Sequence, residues 1–82
     1  MNDEQLLERI VVNREVMVAK PVIRGTRLTV EHVLGLLAHG ATIEDILKEY
    51  EGLTPEDVRA CLVFAQKCLG DTAYMPLPAE AA

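Results

Sequence analysis

The chain has 82 residues and a net charge of −5, half of it hydrophobic, with aromatics at only 4% and no tryptophan. That length allows one domain, and the surface scaling of a chain this small leaves roughly 37% of its unfolded surface still in water, so some apolar side chains are expected to remain for a partner. The longest apolar run, Ala60 to Ala65, is far short of the roughly 20 residues that cross a bilayer, and the acidic start MNDEQLLER lacks the features of a signal peptide. A cytoplasmic protein that does not enter the membrane is therefore expected.

Charge is unevenly spread. Between residues 9 and 30, Arg9, Arg14, Lys20, Arg24 and Arg27 against Glu15 give +4, whereas residues 31 to 82 hold three basic and nine acidic side chains, giving −6. An acidic body disfavours sequence-independent binding to nucleic acid, but a basic strip can still meet DNA or an acidic protein.

In chain order, a short helix is expected around Asp3 to Glu8. The β-branched run Ile10, Val11, Val12 and the stretch Val22 to Val30, broken at Gly25, then read as an N-terminal β arm over about 9 to 30. Lys20-Pro21 marks an extended entry. Gly25 is expected to supply a positive φ and Thr26 to cap or pair within the turn, with Arg27 available to bridge to the acidic helices. Thr29 caps a first main helix with Val30, Val33, Leu34 and Leu37 on one stripe and Gly40 at its end. Thr42, with Asp45 three residues on, opens a second helix carrying Ile43, Ile46, Leu47 and Tyr50. Thr54 and Pro55 open a third, with Val58, Cys61, Leu62, Ala65, Cys68 and Leu69 as its buried face and Gly70 as its end. The expectation is a mainly α domain over 1 to 69: a three-helix, homeodomain-like helix-turn-helix bundle with a short β arm, followed by a flexible tail over 70 to 82.

Catalytic chemistry has little to stand on. Serine is absent, and there is neither a phosphate-binding glycine loop nor a Cys-x-x-Cys pair. His32 and His39, seven apart on one helix, are too far apart to share a metal unaided, and Cys61 and Cys68, also seven apart, read as buried thiols. A non-enzyme without metal or cofactor is expected.

As a recognition helix the third helix is poorly equipped. Its outward half holds Glu56, Arg59, Ala60, Val63, Phe64 and Lys67, with acid at the N-terminal turn, which would repel phosphates in a major groove. Ala60, Val63 and Phe64 are instead expected to form a partner or dimer interface. Lys20, Arg24 and Arg27 are the better candidates for contact with DNA or an acidic partner. Homodimerisation is expected from the apolar surplus and the open edges of the arm.

The segment Lys20-Pro21-Val22-Ile23-Arg24-Gly25-Thr26-Arg27-Leu28-Thr29-Val30, with Ile10-Val11 before it and Gly40 and Leu53-Thr54-Pro55-Glu56-Asp57-Val58 after it, resembles the bacterial domain of unknown function 433 over about residues 9 to 69. Ala19 departs from a pattern that often has glycine there. The resemblance implies the homeodomain-like fold and a VapB-type antitoxin that binds and neutralises a PIN-like nuclease toxin, with operon autoregulation through operator DNA. The alternative is a stand-alone DNA-binding transcriptional repressor, for which the third helix should be basic or polar on its outer face.

Overall fold

The computed structural model describes residues 1–12, 19–71 and 77–80. Four helices and one two-stranded antiparallel sheet account for the regular structure of these residues: α1 (Asp3–Leu7), β1 (Ile10–Val12), β2 (Pro21–Ile23), α2 (Val30–Ala38), α3 (Ile43–Glu49) and α4 (Pro55–Asp71). The third helix of the sequence reading is α4; it runs one residue past Gly70. Residues 77–80 are exposed and without regular structure, while 72–76 and 81–82, also part of the expected tail, lie outside the described residues.

Each helix starts where its side chains can satisfy free backbone donors. At α1 the Asn2 side chain accepts from the Gln5 N–H at 2.8 Å and Gln5 answers with its own amide oxygen, a reciprocal cap that lets a five-residue helix form. Thr29 caps α2 through the His32 N–H. Thr42 and Asp45 make the reciprocal box of α3, and those hydrogen bonds from Thr42 hold the Asp45 carboxyl below the ordinary aspartate value. At α4 the Thr54 hydroxyl accepts from the Asp57 N–H, and Asp57 Oδ2 accepts from the Thr54 N–H at 3.0 Å.

β1 and β2 pair with Ile10 opposite Ile23 and Val12 opposite Pro21. Proline is tolerated because the Arg24 N–H donates to the Arg9 carbonyl, which makes Arg9·Arg24 and then Val11·Val22 the bonded pairs; Pro21 falls at a position with no donor facing β1. On its other side β2 touches the chain again, through the Ile23 N–H to the Leu28 carbonyl and a bridge between Val22 and Thr29. The strands thus lead directly into α2.

The core lies where this sheet and the three longer helices meet: Ile23, Val30, Val33, Ile46, Val58 and Cys61 are all at most 3% exposed. It is aliphatic, as the composition requires. Burial, with the charge of Asp57 nearby, pushes the Cys61 thiol up to about 11.

Two expectations about α4 are corrected here. Ala60, read as outward-facing, is fully buried. The cause is α1, which packs across α4 with Leu6 buried beneath it and Asp3 within 3.8 Å of Lys67, the residue two turns along the same line as Ala60. Leu62, Cys68 and Leu69, read as buried, are exposed. Leu69 lies on nearly the same helical line as Val58, and Cys68 on that of Cys61, but each is more than 10 Å further along, beyond the buried core, where α2 stands beside α4 without closing over it.

Candidate functional site

The run of α4 past the core leaves an open apolar groove between it and α2. Pro21, Val30 and Leu34 form one wall and Phe64, Ala65, Cys68 and Leu69 the other, enclosing about 360 Å³, with the Glu31 side chain at the rim. Leu69 is 58% exposed. The groove is therefore the core-facing stripe of α4 continued beyond the core, with no other described residue covering it, an apolar surface that costs free energy in water. Of the three residues expected at a partner interface, only Phe64 reaches this groove. Ala60 is under α1, and Val63, 60° round the helix from Ala60 on the side of Arg59, is half-buried.

The basic arm is arranged differently from a free cationic patch. Lys20 Nζ is 3.0 Å from Glu31 Oε1, and the Arg24 guanidinium donates to the Glu8 carbonyl. Arg27 is exposed and forms no ion pair among the described residues. The bridge to an acidic helix comes from Arg9, whose Nη1 lies 3.0 Å from Asp57 Oδ1. Nothing in local sequence marked Arg9 for this, since its partner is 48 residues away.

Gly25 and Thr26 hold the turn that presents Arg24 and Arg27. Gly25 has φ +79° at the third position of the Ile23–Thr26 turn, where a type II turn needs a left-handed residue. The Thr26 hydroxyl donates to the Ile23 carbonyl at 2.8 Å and accepts from the Leu28 N–H at 3.0 Å.

A second, more polar concavity lies on the other side of α2, where Lys20, Glu31, His32 and His39 meet. Its histidines are engaged within the chain. His32 Nε2 shares a hydrogen bond with the Tyr50 hydroxyl at 3.1 Å, edge-on to the ring, and His39 Nδ1–H donates to the Gly35 carbonyl at 2.7 Å. Among the described residues no three His, Cys, Asp or Glu side chains are grouped to hold a metal ion, and no helix is long and apolar enough to cross a membrane.

The chain belongs to the family described as protein of unknown function (DUF433), whose model matches residues 10–65. Its fold is similar to the crystal structure, at 2.00 Å resolution, of a DUF433 member from Anabaena variabilis ATCC 29413, with a TM-score of 0.72 and 27% identity. That match covers 82% of this chain and 66% of the other, so this chain spans just under two thirds of that structure's length. No curated protein matches the chain significantly.

Proposed function

We propose that this protein is a cytoplasmic, antitoxin-like interaction module that binds and neutralises a PIN-like nuclease, and that the groove between α2 and α4 receives an apolar segment of that nuclease. The observation that carries this reading is the continuation of the α4 core stripe into an open groove, from half-buried Phe64 and Ala65 to exposed Cys68 and Leu69. The class of partner comes from the family resemblance. In this reading the α3–α4 pair is a homeodomain-like helix-turn-helix given over to protein binding: α1 lies across α4, and Glu56 and Asp57 stand at its N-terminal turn. A helix so covered and so charged is a poor major-groove reader, which disfavours the stand-alone repressor. Operator contact, where it contributes to autoregulation, falls to Arg24 and Arg27, with Lys20 beside them.

The test pairs the chain with a PIN-fold nuclease encoded by the adjacent reading frame. Equimolar chain should abolish cleavage of RNA by that nuclease, and Leu69→Asp, at an exposed position of the groove, should weaken the inhibition by about 30-fold or more while leaving the helical circular dichroism intact. An adjacent protein that is neither bound nor inhibited would refute the proposal. Tight binding to upstream DNA that is lost with Arg59→Ala would restore the repressor.

A further inference from the structure

β1 is the open edge of the sheet. Because Arg9·Arg24 and Val11·Val22 are the bonded pairs, Ile10 and Val12 turn their N–H and C=O groups away from β2, and among the described residues nothing pairs with them. Their side chains share one face of the strand. Ile10 uses that face to pack on the core, while Val12 carries it outward and remains 56% exposed. An edge of β-branched residues with free donors and acceptors is a template for another strand.

We propose that β1 pairs antiparallel with β1 of a second copy, about a two-fold axis through Val11, joining the two sheets into one of four strands. The edge is self-complementary about that axis. Ile10 of each copy stands opposite Val12 of the other as a bonded pair, giving about four main-chain hydrogen bonds and using every outward group of the strand. The same register lays the core-packed Ile10 of one copy beside the exposed Val12 of the other, so the apolar face continues across the axis. Charge does not oppose the approach locally, because the Arg9 side chain at the end of the strand is already neutralised by Asp57. A two-stranded ribbon is marginal in water and gains from added strands, which favours the pairing in a domain this small. The interface is separate from the groove proposed for the nuclease and stands or falls independently of it.

Sedimentation equilibrium on the full chain, with amide exchange followed site by site, tests the pairing. The expected mass at tens to hundreds of micromolar is twice 9.0 kDa, with the Ile10 and Val12 amides exchanging more slowly as concentration rises. Val12→Pro removes an outward donor without touching the β1–β2 ladder, so it should return the chain to a monomer with unchanged helical content. In a Cys68→Ser background, Val11→Cys should form an interchain disulfide under mild oxidation, since a non-bonded antiparallel pair brings Cα atoms to about 4.5 Å, within the range a disulfide spans. A monomer at these concentrations that also fails to cross-link would overturn the proposal. So would a dimer that survives Val12→Pro but is lost with Phe64→Asp, which would place the second copy in the groove.

Discussion

Asp57 is the point where the arm is fastened to the helices, and its removal should be felt by the whole domain. One oxygen accepts from the Thr54 N–H at the start of α4 and the other from Arg9 at the junction of α1 and β1, each at 3.0 Å, with the residue only 8% exposed. Asp57→Ala loses a helix cap worth about 1 kcal/mol. It also loses a charge-assisted bond worth roughly 1.5–3 kcal/mol, taken at the low end because the Arg9 side chain is a third exposed and rehydrates. A loss of about 2.5 kcal/mol is expected. Against a total of roughly 4–12 kcal/mol for a domain of this length it lowers Tm by about 10–20 °C. Asp57→Asn keeps an acceptor for the Thr54 N–H and should cost only about 1.5 kcal/mol. Urea titration of both variants, with Arg9→Gln closing a double-mutant cycle, measures the parts. The cycle should return a coupling of about 1 kcal/mol or more between Arg9 and Asp57. A loss below 1 kcal/mol for Asp57→Ala, or no coupling, would refute the assignment of Asp57 as the fastening point.

Ala19 has φ +69°, so Ala19→Gly should relieve a left-handed penalty of about 1–2 kcal/mol that outweighs the added freedom of the unfolded chain, raising Tm by a few degrees. Gly25→Ala is the converse: an added Cβ meets no atom within 4 Å, so any fall in Tm measures backbone conformation alone. At pH 8 iodoacetamide should label the exposed Cys68 and leave Cys61 untouched until the chain unfolds, which mass spectrometry reads directly. Because the Cys61 thiol is pushed up from 9.0 to about 11, the unfolded chain releases that proton first, and stability falls as pH rises from 9 to 11. The fall should be smaller in Cys61→Val, checked by urea midpoints across that range.

Local chemistry was legible in the sequence because it acts over three or four residues. The threonine caps of α2, α3 and α4, the positive φ at Gly25 and the period of the stripe through Val30 and Val33 are each set by neighbours along the chain. Ala19 was singled out by the family resemblance alone, as a position that often has glycine, and its φ of +69° gives the physical reason for that preference. Burial on α4 was another matter. Val58 and Leu69 share a helical line and look alike to any periodicity, yet one is fully buried and the other 58% exposed, because at Leu69 α2 stands beside α4 without closing over it. Ala60 was misplaced for the complementary reason: its cover is α1, more than fifty residues earlier in the chain. The tie between Arg9 and Asp57 and the groove beside Phe64 likewise belong to the packing of distant segments. Periodicity marks which face of a helix is apolar; only the tertiary arrangement decides where along that face a neighbour stands and where it is left open.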